Sequence, residues 1–169
     1  MREWIPVPTS AKGRLALAAV RAFGARPFDA VSVGDLAAEA NVTTGAIYHH
    51  FGSKLGLYGF VRADVEQRLL DRMAGAASSV AGDRDSIAAV LGVGFDFAVR
   101  LEFQRILADA PTAVAGDALA DLLDTLVAPA APPLGRVLAA AWRAAVLATC
   151  DGGDVEAARA ALLMLRLAR

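Results

Sequence analysis

A chain of 169 residues accommodates one large domain or a small one joined to a medium one, and its 56% apolar content supplies a core for either, which excludes a disordered tail. Arg or Asp interrupts each long apolar stretch before it can span a membrane, residues Met1 to Pro6 lack the apolar run of a signal peptide, and the lone Cys150 excludes an internal disulfide or Cys-cluster zinc site, so a cytoplasmic protein is expected. The net charge of −1 does not by itself point to nucleic acid, but residues 1–74 hold 9 Lys and Arg against 7 Asp and Glu, while residues 75–169 hold 8 against 11.

The pattern is all-α. Pro6 and Pro8 mark an extended arm. A first helix is expected from about Lys12 to Phe23, with Leu15, Ala18, Ala19, Ala22 and Phe23 at helical spacing and residues Gly24 to Pro27 ending it. Ser32, with Asp35 three residues later, forms a short-chain capping box for a second helix that carries Val33, Leu36, Ala37 and Ala40 on one face. Asn41 tolerates the left-handed backbone of a tight turn. Thr43 then caps a short third helix to Phe51, and Ser53 caps a fourth from Lys54 to about Ala74. Residues 75–84 read as a surface connection. Four further helices are expected at about 85–109, 116–128, 133–150 and 154–168, separated by Pro111, by Pro129 to Pro133 and by Asp151 to Gly153. The domain organisation that follows is an arm and helix-turn-helix over 1–54, a linking helix over 55–74, and a helical body over 75–169.

Two short helices joined by a tight turn and supported by a third make a helix-turn-helix, whose second helix enters the DNA major groove N-terminus first. At 100° per residue, Ile47 and Phe51 share a packing face, while Thr44 with Tyr48 and Gly45 with His49 lie on the other side. Thr44 can hydrogen-bond a base or meet a thymine methyl, and Gly45 and Ala46 permit close backbone approach. Tyr48, His49 and His50 offer donors to phosphates, and Lys54 adds a charge and a free backbone N–H. Ser32, opening the second helix, completes the DNA-facing set. No Arg, Asn or Gln lies on this helix, so recognition is expected to lean on shape and van der Waals contact.

Residues 12–60 resemble the DNA-binding domain of the tetracycline-repressor (TetR) family. The matching pieces are Ala18, Ala19 and Phe23; Phe28 and Asp29; Ser32 and Val33; Asp35, Leu36 and Ala37; Val42; Gly45 to Tyr48; His50 and Phe51; Ser53 and Lys54; and Leu57. The resemblance implies that Thr43, Thr44, Gly45, Ala46 and Tyr48 approach the groove and that Tyr48, His50 and Lys54 touch phosphates. The helical wheel instead turns His49 outward and His50 toward the packing side. Some positions depart from the family pattern. Pro27 and Asn41 stand where glycine is common, which puts the exit from helix one at Gly24, and Gly34 replaces a polar residue on helix two. Leu55 and Gly56 lack the usual acid, and Gly56 and Gly59 are expected to make helix four easier to deform.

The body carries Phe95, Phe97, Arg100, Phe103 and Trp142 as candidate lining of a ligand pocket, the alternative being that they fill the core. Asp96 and Arg100 are spaced for i,i+4 pairing. Leu134, Leu138, Ala141 and Ala145 form an apolar stripe that, with Leu162, Leu163 and Leu165, suits an intermolecular four-helix bundle. The resemblance implies dimerisation in the same place. The expected function is therefore a DNA-binding transcriptional regulator, a homodimeric repressor released from a pseudo-palindromic double-stranded operator by a small apolar effector. Two alternatives stay open: a DNA-binding regulator without a small ligand, and a helical protein-interaction module. No acid–base pair, nucleophile with base, phosphate loop or metal set is evident, so neither an enzyme, a cofactor nor a metal is expected.

Overall fold

The computed structural model describes residues 9–79, 86–109, 116–127 and 134–165. Pro6, Pro8, Pro111 and the prolines at 129–133, assigned above to an arm and to breaks, lie outside these. Every regular element among the described residues is helical. The chain divides into two compact units, Met1–Glu66 and Gln67–Arg169.

In the first unit, α1 (Ala11–Ala25) is capped by Ser10, whose hydroxyl accepts the Gly13 N–H at 2.9 Å. Its inward face is largely alanine, Ala16, Ala18, Ala19 and Ala22, and these small side chains let the neighbouring helices come close. The helix does not end at Gly24, as the proline at 27 suggested. It continues to Ala25, and Arg26 leaves in an extended conformation (φ −133°), so no positive φ is required before Pro27. A short 3-10 turn over Phe28–Ala30 leads to α2 (Val33–Glu39), where both bonds of the Ser32–Asp35 capping box are formed. Asn41 takes the left-handed conformation (φ 51°) and swings the chain into α3 (Thr44–Phe51). Gly52, at φ 74°, ends that helix with its N–H on the Tyr48 carbonyl.

The fourth helix, α4 (Lys54–Ser79), starts where expected but passes through Gly75 to Ser79, so part of the anticipated connection is helical. In the second unit, one anticipated helix is two. α5 (Ser86–Arg100) and α6 (Gln104–Ala108) are separated by Glu102 in the left-handed conformation (φ 58°), and the Phe103 N–H closes the break onto the Ala98 carbonyl at 2.8 Å. Nothing in the composition of Leu101 to Phe103 announces this break. α7 (Ala118–Leu126) and α9 (Val155–Leu163) are capped by Asp117 and Asp154. α8 (Leu134–Leu147) stops short of the expected 150, and a 3-10 turn at Cys150–Gly152 follows it.

Trp142, Phe95, Leu91, Ile106, Leu119 and Val146 pack the second core, with the indole N–H donating to the Leu91 carbonyl at 3.2 Å. Arg143 on α8, only 7% exposed, makes two 2.7 Å bonds to Asp117, and Asp124 accepts the Gly135 N–H at 2.6 Å. These bonds fasten α7 to α8. Asp96 does not pair with Arg100; it accepts two bonds from Arg159 on α9, at 2.8 and 3.0 Å. A partner 63 residues away supersedes the local one because α5 and α9 pack side by side.

Candidate nucleic-acid interface

The turn between α2 and α3 is built from backbone bonds and one arginine. The Val42 N–H donates to the Ala37 carbonyl at 3.0 Å, and the Asn41 N–H to Ala38 at 3.1 Å. Arg14 of α1 reaches across and donates through Nε to the Ala40 carbonyl at 2.9 Å. A carbonyl left orphaned at the end of α2 is thus satisfied by the supporting helix. Nothing in the local sequence marked Arg14 for this role, because the bond spans 26 positions. Arg21 and Glu39 add a second tie between α1 and α2 at 2.7 Å.

On α3, Ile47 is wholly buried against this frame. Thr43, Thr44, Gly45, Tyr48 and His49 are exposed, Tyr48 at 56%, and Ala46, His50 and Phe51 are half-buried. The packing and outward faces therefore divide as the helical wheel predicts, with His49 out and His50 turned partly in; the two rings meet edge to face at 4.9 Å. Thr43 stands at the N-cap, but its hydroxyl makes no capping bond, so the first N–H groups of α3 have no side-chain acceptor at this end. Ser32 is exposed at the start of α2, its oxygen accepting the Asp35 N–H at 3.0 Å while its own O–H remains able to donate. The Ser32 hydroxyl and the Ser32 backbone N–H, the latter donating to the carboxylate at 3.3 Å, hold the Asp35 carboxyl below the usual carboxylate range, with help from Arg26.

Lys54 is placed differently from its phosphate-contact expectation. Its ammonium donates to the Phe28 carbonyl at 3.0 Å and the Val31 carbonyl at 2.9 Å, and lies 4.1 Å from the Phe28 ring centre. It ties the chain between α1 and α2 to the start of α4, alongside a cluster of Phe23, Phe28 and Tyr58 rings. The backbone N–H at Lys54 sits at the opening of α4, where Ser53 caps Gly56 at 2.9 Å. Gly56, read from sequence as a point of weakness, is a point of contact: a Cβ there would overlap the Phe51 carbonyl.

In the second unit, the candidate pocket residues part company. Phe95 and Trp142 are closed within the core, and Phe103 packs its ring on Phe97 at 5.7 Å. Phe97 and Arg100 line a surface cleft of about 140 Å³ together with Arg72, Val93, Asp96 and Leu101. Of the candidate dimer residues, Leu138 and Leu162 are buried within the chain. Leu134, Ala141, Ala145 and Leu163 are half-buried, and Leu165 is exposed. The apolar stripe left open on α8 runs instead along Val137, Ala140, Ala144 and Leu147. No helix among the described residues is long and apolar enough to cross a membrane.

The three-helix frame, its tight α2–α3 turn and a second helix with one buried and one open face make the first unit a helix-turn-helix DNA-binding domain. Residues 16–59 match the family of bacterial regulatory proteins, tetR family. The whole chain superposes on a TetR-like transcriptional regulator from Rhodococcus sp. RHA1 with a TM-score of 0.68 at 20% identity, covering 95% of this chain and 94% of that one. It also superposes on a TetR-family transcriptional regulator from Pectobacterium atrosepticum with a TM-score of 0.62 at 25% identity, covering 90% and 88%. No curated protein matches the chain in sequence. Residues 16–59 thus carry a tetR-family DNA-binding domain, and the chain as a whole has the fold of TetR-like regulators.

Proposed function

We propose that this regulator binds a pseudo-palindromic operator as a homodimer, acts as a repressor, and is released by a small-molecule effector bound to its second unit. The observation that carries the DNA-contact assignment is the division of α3, with Ile47 fully buried and Thr43, Thr44, Gly45, Tyr48 and His49 open. Thr44, Gly45 and Ala46 meet base edges at the N-terminal end of the helix, and Tyr48, His49, His50 and the Ser32 hydroxyl meet phosphates. Lys54 contributes its backbone N–H rather than its ammonium, which two carbonyls hold.

Dimerisation uses the exposed α8 stripe of Val137, Ala140, Ala144 and Leu147 with Leu165 and Met164 beyond α9, a surface too apolar to be left open to water. The two recognition helices then stand about 34–36 Å apart, one turn of DNA. An effector shifts DNA affinity only by binding one spacing of the dimer more tightly than another. A second reading, regulation without a small ligand, is favoured by the clefts themselves: one of about 140 Å³ falls short of the roughly 300–1,000 Å³ usual for ligand sites, and another, of about 350 Å³, is lined mostly by charged side chains, Asp96, Arg100, Glu156 and Arg159.

The test is a gel-shift titration against the gene's own upstream region at two salt concentrations, with Tyr48→Ala beside the natural chain and oligomeric mass measured by sedimentation. Salt-dependent binding that Tyr48→Ala weakens with no change in mass supports the proposal. Binding that is absent at both salt levels refutes it.

A further inference from the structure

We propose that the cleft formed by Arg72 of α4 and the last turns of α5 binds a small organic monocarboxylate. This rests on the effector reading above and replaces its apolar ligand with an anionic one. The cleft is lined by Arg72, Val93, Asp96, Phe97, Arg100 and Leu101. Its one carboxylate is already engaged, since both oxygens of Asp96 accept bonds from Arg159.

Its two cations are not so engaged. Among the described residues Arg100 makes no hydrogen bond or ion pair, and Arg72 makes only a ring contact, its guanidinium 5.8 Å from the centre of Phe97. A cationic solute entering here meets two like charges, and an uncharged one leaves both guanidinium forks unused. A planar carboxylate takes two parallel N–H bonds from either fork. Beside the charges lies an apolar wall in which Val93 and Leu101 are 38% and 43% exposed. This wall calls for an apolar body on the same solute. No hydroxyl side chain lines the cleft to share a second negative charge, so a carboxylate is favoured over a phosphate monoester. A volume of about 140 Å³ limits the body to a single ring or a short chain.

Isothermal titration of the full-length protein tests this with four matched solutes: phenylacetate, 2-phenylethanol, 2-phenylethylamine and phenyl phosphate. Phenylacetate should bind saturably and the alcohol and amine should not. Arg100→Gln and Arg72→Gln should each weaken phenylacetate about tenfold or more, the loss expected when a charge-assisted bond is removed. Arg136→Gln, an exposed change on α8, should leave binding unchanged. The proposal falls if no carboxylate binds, if the alcohol binds as well, if phenyl phosphate binds more tightly, or if neither cleft arginine matters. Gel shifts with the same solutes separate the two ideas. Carboxylate binding that leaves operator affinity unchanged keeps the site and removes its effector role. Release of DNA by a solute that is not a carboxylate, with no phenylacetate binding, keeps the effector and removes this site.

Discussion

Gly56 and Gly59 lie three positions apart in α4, yet alanine at each should act in opposite directions. A Cβ on Gly56 runs into the Phe51 carbonyl, which is backbone and cannot rotate away, so α3 and the start of α4 must separate to admit it. Overpacking of this kind costs about 1–3 kcal/mol. The helix propensity gained from alanine is at most about 1 kcal/mol and is smaller in a first turn. Gly56→Ala should therefore destabilise the first unit by about 1–2 kcal/mol. A Cβ on Gly59 meets nothing within 4 Å, and the residue is exposed in the helix interior. Gly59→Ala should stabilise by up to about 1 kcal/mol. Urea unfolding followed by circular dichroism resolves this: with a slope of about 1–3 kcal/mol/M, each kcal/mol moves the midpoint by roughly 0.3–1 M. Gly56→Ala should also weaken operator binding, because Phe51 ends the recognition helix. If both variants raise the midpoint, the Phe51 carbonyl does not crowd Gly56 and the two glycines are equivalent.

Two other changes address residues whose roles long-range contacts define. Asp117→Asn leaves Arg143, 7% exposed, without an anion; a broken buried pair costs about 3–5 kcal/mol, and partial exposure of Asp117 reduces this to about 2–3. The Arg143 guanidinium holds the Asp117 carboxyl below its ordinary range, so its folded value lies under its unfolded one. The stabilisation is then complete above the unfolded value near 3.9 and fades as pH falls through the folded one, and a denaturation series should lose that acid limb in Asp117→Asn. Lys54→Met strips the Phe28 and Val31 carbonyls of a shared donor and should lower the first unit's stability by about 1–3 kcal/mol, read as a lower thermal midpoint. A midpoint unchanged by Lys54→Met would mean that the ammonium is free for phosphate after all.

What could be read from the sequence was local. The Ser32–Asp35 capping box, the left-handed Asn41 and the two faces of α3 each depend on residues within four positions of one another, and each formed as the spacing predicts. The misses have the opposite character. Asp96 pairs across 63 positions with Arg159, Lys54 across 26 and 23 with two backbone carbonyls, and periodicity carries no trace of either. The open apolar stripe of α8 escaped the sequence for a related reason. α8 has two apolar faces, and a helical wheel cannot say that Leu138 faces the core while Val137 and Leu147 face solvent. In the candidate pocket, aromatic character drew attention to Phe95 and Trp142, which are core; the cleft opens where Arg72 and Arg100 flank Val93 and Leu101.

The contacts of the first unit's cations bear on how it would hold DNA. Each Lys and Arg among residues 9–66 has an intramolecular partner. Arg21 and Arg26 face carboxylates and are largely neutralised. Lys12, Arg14 and Lys54 face rings or carbonyls, so they keep their charge while losing their reach. A head of this kind offers phosphates fixed charges and backbone N–H groups in place of flexible cationic arms. Three such charges per head, or four with Arg62, and two heads in the proposed dimer bound the counterion release at about six to eight, a slope of log K against log salt of about −5 to −7. Side chains that cannot reach every phosphate make the measured slope shallower. Operator binding between 50 and 200 mM salt should follow that shallow dependence and depend strongly on the shape of α3 and its turn. A slope of about −8 or steeper would overturn this account, because it requires more charges than residues 9–66 supply.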